Sequence, residues 1–237
     1  MKIALLGYGK MGKEVEAASL LHNHEIVLKI NSENIVQLSK QMLQQADVAI
    51  EFSSPENALI NAKFCIDAGV PVVIGTTGWY DKLENLKTYT IEKNASVIYA
   101  SNFSIGVNIF FLVNDLLAGL MAKQPYNAWL EETHHINKKD KPSGTAITLA
   151  NDILKYNKKY DGWSLNEEPH KLPVYCERID EVTGTHLVNY RSDDDTIEIM
   201  HHAFNRRGFA RGAVTAAEWI VNHKGFFEFR DILKSEL

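Results

Sequence analysis

The sequence has little with which to form disulfides, cross a bilayer or hold nucleic acid. Of its 237 residues only two are cysteine, Cys65 and Cys176. They stand far apart and no secretory signal opens the chain, so the expectation is of reduced thiols in a cytoplasmic protein. Cys65 falls in a helix-like stretch and reads as a small core residue. No apolar run approaches the roughly 18 residues that a spanning helix needs, so no membrane span is expected. Net charge is −5, with no basic face to attract a phosphate backbone, and nucleic acid is not expected as a partner. The one conspicuous charge run, Asp193-Asp194-Asp195, is acidic and marks a turn between strands. Internal repeats and low-complexity segments are absent. What is present is an apolar fraction of 45%, ample for a core, and a length that suits one large domain or two small ones.

One stretch gathers most of the chemistry, residues 131–146. It holds His134 and His135, Lys138, Lys139 and Lys141, and then Pro142-Ser143-Gly144-Thr145-Ala146. Ser143 suits an N-cap before an apolar helical run. The amides of Gly144 and Thr145 then fall in the first turn, at the positive end of the helix, where a carboxylate can be held. The lysines add positive charge. His134 and His135 bring the only side chains here that ordinarily titrate near neutrality, so a proton donor or acceptor stands beside the anion site. No metal is expected. Adjacent histidines on an extended segment point to opposite sides, and no carboxylate or thiol stands at a ligand spacing beside them.

The chain opens with an apolar strand, Lys2–Leu6, running into Gly7-Tyr8-Gly9-Lys10-Met11-Gly12 and a helix carrying Val15, Ala18 and Leu21. Strand, G-x-G-x-x-G and helix in that order form a dinucleotide fingerprint. Gly7 permits the tight turn, Gly9 lets backbone approach a pyrophosphate, and Gly12 lets helix pack on strand. A second strand at 25–30 ends in Asn31-Ser32-Glu33, where neither an acid for a ribose hydroxyl nor a base for a 2′-phosphate is clearly placed. A short helix at 34–45 follows, then a strand at 47–52, and a helix from Pro55. The next strand, 70–74, is buried on both faces and ends in Gly75-Thr76-Thr77-Gly78. After a helix at 81–94, a strand at 97–100 ends in Ser101-Asn102-Phe103-Ser104. Successive strand ends bearing small polar residues suggest a cofactor crevice.

After Gly106 the pattern changes. It predicts a long apolar helix over 107–124, a strand at 128–132 entering the His/Lys loop, and a helix over 144–160. Strand-like runs at 173–175, 178–179, 186–190 and 196–200 are separated by turns, which indicates a mixed or antiparallel sheet. Residues 205–212 read as a basic loop, 212–222 as a helix and 226–233 as a short one. The fold class is therefore α/β: an N-terminal Rossmann-type, doubly wound parallel sheet and a C-terminal α+β domain. Residue types alone leave open a two-domain NAD(P) oxidoreductase and a nucleotide-binding module without turnover.

These motifs, with Ile105-Gly106-Val107-Asn108, resemble the dihydrodipicolinate reductase family, also called 4-hydroxy-tetrahydrodipicolinate reductases, of the diaminopimelate route to lysine. The resemblance covers nearly the whole chain and is most specific from His134 to Ala146. It implies hydride transfer from NADH or NADPH, the preference unresolved, to a cyclic imine dicarboxylate. It implies that His134 is the proton donor or acceptor and Lys138 a second acid and substrate ligand. His135, Gly144 and Thr145 would hold the dicarboxylate. Gly7, Tyr8, Gly9, Lys10, Met11 and Gly12 would bind the dinucleotide, as would Gly75, Thr76, Thr77, Ser101, Asn102, Phe103 and Ser104. The family pattern divides the chain into a dinucleotide-binding domain, 1–105, completed by 212–237, and a substrate-binding and oligomerisation domain, 106–211, assembling a homotetramer. The chain is short for the family and thinned between Asn31 and Asp47. Ser101 replaces a frequent alanine, and Asn31 and Ser32 stand where an acidic residue and an arginine are often found.

Overall fold

A computed structural model describes residues 1–236. It separates into two compact units. One is Met1–Ile105 together with the chain from Arg206 onward, and the other is Gly106–Asn205.

The first unit begins with strand β1 (Lys2–Leu6), helix α1 (Lys10–Leu21) and strand β2 (Glu25–Ile30). Next comes a departure from the sequence expectation. In place of one helix over 34–45 there is a 3-10 turn at Ile35–Gln37 and a single-turn helix, α2 (Lys40–Leu43). The cause is local side-chain competition for the backbone. Asn31 Oδ1 accepts from the amides of Glu33 (2.9 Å) and Asn34 (3.1 Å), and Asn34 Oδ1 accepts from the Asn31 amide at 2.7 Å. Ser39 then starts afresh as an N-cap, its hydroxyl accepting from the Met42 amide. Strand β3 (Val48–Glu51) follows, then helix α3 (Pro55–Ala68), which has proline in its first turn and ends on Gly69 in the left-handed region, φ 75°. Strand β4 (Val72–Ile74) is buried throughout. Helix α4 (Leu83–Glu92) and strand β5 (Ser96–Tyr99) complete this run.

The second unit opens with helix α5 (Ile105–Met121) and strand β6 (Asn127–His134). On β6 burial alternates, and Ala128, Leu130, Glu132 and His134 all face inward. A strand presents residues i and i+2 on one face, so this alternation carries a carboxylate and an imidazole into the interior side by side. Helix α6 (Gly144–Tyr156) follows the His/Lys loop and stops short of 160. Strand β7 (Gly162–Ser164) is not expected from sequence, and β8 (Lys171–Arg178) unites the strand-like runs at 173–175 and 178–179. Strands β9 (Thr185–Arg191) and β10 (Thr196–His202) flank the acidic turn. The order is β10-β9-β6-β8-β7, with β9 antiparallel to both neighbours and β8 parallel to β6 and β7, a mixed sheet.

The chain then returns to the first unit with helix α7 (Arg207–Ile220), strand β11 (Gly225–Glu228) and helix α8 (Phe229–Glu236). The residues read as a basic loop are mostly the first turns of α7. Gly208 and Gly212 disguised them as irregular, yet Gly212 is glycine because of packing: a Cβ there would lie 1.6 Å from the Phe103 carbonyl oxygen. Residues 226–228, expected to be helical, form β11 and pair in parallel with β5. The result is a six-stranded sheet, β11-β5-β4-β3-β1-β2, parallel throughout. One face (Ile3, Leu5, Ile50, Ile98) packs on Ala213, Val214, Ala217 and Ile220 of α7. The other (Ala4, Leu6, Ala49, Val72) packs on Ala58, Ala62 and Cys65 of α3. Burial of both faces is what its continuous apolar strands require. Among the described residues no helix is long and apolar enough to cross a membrane.

Candidate active site

The second unit places a buried carboxylate at the centre of the His/Lys region. Glu132, with no exposed side-chain surface, stands two residues before His134 on the inward face of β6. His186 on β9 lies directly opposite Glu132 in register, and Arg178 on β8 opposite His134. Arg178 Nη2 donates to Glu132 Oε1 at 2.8 Å. The Ser143 amide reaches both carboxylate oxygens, at 3.2 and 3.1 Å. His134 Nδ1 and His186 Nε2 approach Oε2 at 3.7 and 3.6 Å. Burial by itself would raise the Glu132 carboxyl, but His186, Ser143 and Arg178 outweigh it and hold the group well below the usual carboxylate range.

His134 is shaped by the same surroundings. Burial, and then the neighbouring His186, push its imidazole down to about 4, against the pull of Glu132. The ring is therefore neutral at neutral pH, and its buried Nδ1 has no hydrogen-bond partner. Contrary to the expectation from sequence, the histidines are not without a nearby carboxylate. A carboxylate does stand beside the histidine, because i and i+2 share a strand face. The ligand atoms of Glu132, His134 and His186 lie within 4.8 Å of one another. The Arg178 guanidinium already occupies Glu132 as its cationic partner.

Arg178 also grips the loop that follows His134. It donates from Nε to the Lys138 carbonyl at 3.4 Å and from Nη2 to the Asp140 carbonyl at 2.6 Å. Lys138 is half-buried and pairs with the more exposed Asp140 at 2.8 Å. Ser143 caps α6 as expected, its hydroxyl accepting from the Ala146 amide at 3.2 Å and lying 3.1 Å from His186 Nε2. Gly144 is exposed, and a Cβ there would meet nothing within 4 Å, so the helix start is open to a ligand. His134, Lys138 and the start of α6 are thus tied together through Glu132, Arg178 and Ser143. Thr145 is buried in the same turn, and the half-buried His135 side chain makes no hydrogen bond to this cluster. Glu132 had a signal in the sequence, its spacing of two from His134. Arg178 and His186 come from other strands and had none.

In the first unit, Gly7 has φ 95°, and a Cβ on it would lie 2.1 Å from the Phe52 carbonyl oxygen. A Cβ on Gly12 would lie 2.7 Å from the Gly7 carbonyl oxygen, while Gly9 has open space above it. Beside them is a cleft of about 510 Å³ lined by Gly7, Tyr8, Gly9, Asn31, Ser32 and Ser53. This cradle suits a pyrophosphate and its ribose. Lys10 and Met11 open α1, exposed and half-buried respectively. Gly75 lies against the Phe52 ring, Thr76 is buried and Thr77 exposed. Ser101 and Asn102 are half-buried and Ser104 buried. The Phe103 side chain belongs to the core, packed on Phe52 and Phe229 at ring separations of 6.4 and 5.1 Å, so only its backbone can serve a cofactor. A second buried acid, Glu51 at the end of β3, accepts from the Ser53 amide at 3.0 Å and from Asn61 Nδ2 at 3.3 Å, and burial pushes its carboxyl up. The basic side chain nearest the glycine loop on β2, Lys29, is bound to Glu16 at 2.5 Å, and the Tyr8 hydroxyl donates to the same carboxylate.

Comparison with known proteins agrees along the whole chain. Residues 1–103 match the model described as dihydrodipicolinate reductase, N-terminus, and 106–233 that described as dihydrodipicolinate reductase, C-terminus. A 4-hydroxy-tetrahydrodipicolinate reductase of Christiangramia forsetii is 45% identical over 235 residues, covering 98% of this chain and 98% of that one. Another, from Bdellovibrio bacteriovorus, is 37% identical and covers 98% and 96%. A solved structure, a dipicolinate-bound dihydrodipicolinate reductase from Paenisporosarcina sp. TG-14, has a TM-score of 0.79 at 21% identity, covering 98% and 99%, a likeness of fold. With both halves matched in order and a relative this similar end to end, the chain belongs to the dihydrodipicolinate reductase family.

Proposed function

We propose that the protein reduces 4-hydroxy-tetrahydrodipicolinate to tetrahydrodipicolinate with NAD(P)H, in the diaminopimelate route of lysine biosynthesis. The observation that carries the reading is the buried Glu132, which joins His134 to the capped start of α6. When bound, NAD(P)H supplies the hydride. Its addition to the conjugated imine, with water lost from the hydroxylated precursor, pushes electron density toward the ring nitrogen. His134 or Lys138 relieves it by giving a proton. One substrate carboxylate takes the amides of Gly144 and Thr145, and Lys138 leaves Asp140 to pair with the charge of the other. Cofactor contacts fall to the glycine loop and the strand ends at Gly75, Thr76, Thr77 and Ser101 to Ser104. The reading also assigns substrate binding and oligomerisation to the second unit, a homotetrameric assembly and a cytoplasmic setting. Substrate generated in place by the partner synthase should drive oxidation of NADPH or NADH. Cofactor binding without such oxidation would leave only a nucleotide-binding module.

His134 is neutral before substrate arrives, and a dicarboxylate brings negative charge that raises its pKa from about 4. Binding should therefore take up protons. Pyridine-2,6-dicarboxylate, a planar mimic carrying both charges, should bind more tightly as pH falls from about 8 to 6, by up to about tenfold per unit below the pKa of the complex. Calorimetry in buffers of different ionisation enthalpy measures the uptake, and His134→Gln should flatten it. Pyridine-2-carboxylate should bind far more weakly. A pH-independent affinity would remove His134 from the substrate site, and equal binding of the two compounds would remove the helix start.

Discrimination between NADH and NADPH should be weak. The Asn31 side chain is turned onto its own loop, and Lys29 is neutralised by Glu16. Steady-state kinetics with each cofactor decide it. A preference above about 100-fold in kcat/KM, about 2.7 kcal/mol, would place the discriminating residue elsewhere.

A further inference from the structure

At the far end of α1 from the glycine loop, about 18 Å along its twelve residues, two imidazoles converge on one carboxylate oxygen. His22 Nδ1 and His24 Nε2 lie 3.2 and 2.8 Å from Glu218 Oε1 on α7. The backbone holds both rings in place. α1 closes in a Schellman turn, with Asn23 in the left-handed region at φ 58°, its amide on the Leu20 carbonyl and the His24 amide on the Ser19 carbonyl at 2.9 Å. The two histidines flank that turn. His24 Nδ1 faces the Met1 amine at 3.3 Å, which leaves Nε2 as the nitrogen turned toward Glu218.

The electrostatics of the place favour a cation. His22 follows the last residue of α1, and Glu218 stands two residues before the end of α7, so the negative ends of two packed helices meet here. An acid in the last turn of a helix works against the dipole, and the ion pairs of Glu218 among the described residues are with these two imidazoles. We propose that His22, His24 and Glu218 form a binding site for a divalent cation of the zinc class. The three ligand atoms lie within 4.8 Å of one another. Ligands on a tetrahedral zinc ion with bonds of about 2.0–2.2 Å stand about 3.3 Å apart, so slight spreading of the cluster admits the ion. Two imidazoles and one carboxylate suit zinc better than magnesium or calcium, and water completes the fourth position. The ion would fasten the turn between α1 and β2 to α7. It lies well away from the glycine loop.

The test uses the full chain stripped with chelator, then titrated with zinc chloride by calorimetry and thermal melting, with cobalt(II) absorption to report geometry. One zinc ion per chain, a Tm that rises with zinc and a tetrahedral cobalt spectrum are expected. His22→Ala and Glu218→Gln should each weaken zinc at least tenfold, abolish the Tm rise and leave turnover unchanged. His134→Gln should bind zinc as the parent does. No zinc binding, parent affinity in both variants, or loss of binding in His134→Gln, which would put the ion at Glu132, His134 and His186, each overturns the site.

Discussion

His134→Gln and Lys138→Met should each lose about 10²–10⁴ in kcat while still folding and binding NAD(P)H, because a proton given in the transition state is worth that much. Lys138 is half-buried on a loop, so its replacement should change stability by no more than about 0.5 kcal/mol. His134 is buried, and Gln there should cost about 1 kcal/mol, the ordinary size for a core change that keeps a polar group. Lys138→Met should also raise KM, since the ammonium now held by Asp140 is the partner proposed for a substrate carboxylate. His135→Gln should act on KM more than on kcat. If His134 and Lys138 work as a unit, the double variant should be little worse than the poorer single one. Normal turnover by both single variants at saturating substrate, with chemistry shown to be rate-limiting, would sink the mechanism.

Arg178→Met should give the largest loss of stability. It leaves Glu132 charged and buried with no full cationic partner, facing Ser143, the Cys176 thiol and two imidazoles. Breaking a buried pair by removing one partner costs about 3–5 kcal/mol, which for a chain of this length lowers Tm by on the order of 10 °C. The Lys138 and Asp140 carbonyls lose their donor in the same step, so KM should rise as the loop loosens. Glu132→Leu combined with Arg178→Met should recover part of the lost stability, since no unpaired charge is then left inside. The sign of the pH dependence follows from the direction of each shift. The Glu132 carboxyl is depressed, so its stabilisation is complete above the ordinary carboxylate pKa and is lost as pH falls through its much lower folded value. The His134 imidazole is also depressed, to about 4, so the folded state loses ground on acidification from the ordinary histidine pKa down to that value. Arg178→Met weakens the hold on the Glu132 charge and should move acid unfolding to higher pH. Thermal melts across pH measure all of this. An Arg178→Met variant that melts with the parent would mean that water, and not the guanidinium, solvates Glu132.

Much of this was legible because it is local. The glycine loop, Pro55 opening α3 and Ser143 capping α6 are signals whose cause lies within a few residues. The His134-to-Ala146 motif marked the stretch to which the proposed function assigns the substrate. What supports that region was not legible. Arg178 and His186 reach Glu132 across a sheet whose register no short window contains, and the spacing of two between Glu132 and His134 becomes telling only once both are known to lie on one strand. The start of α7 was hidden because glycine reads as a breaker, whereas Gly212 answers to the Phe103 backbone. β11 carries the apolar pair Phe226-Phe227, which fits a helix face as well as a strand until β5 offers an edge to pair with.

That edge has a consequence for the order in which the protein is made. β5 and β11 are neighbours in the sheet, with residues 100–224 between them, and the core over β1 and β3 is closed by α7. A ribosome adding about 5–20 residues per second therefore displays β5 with one side unpaired, and Ile3, Leu5 and Ile50 without their cover, for several seconds or more. The inserted unit of residues 106–205 emerges whole in that interval and can fold first. The dinucleotide cradle, whose residues are synthesised earliest, is then among the last parts of the molecule to become rigid. A chain released before β11 should expose a bare strand edge to chaperones and to other unfinished copies of itself.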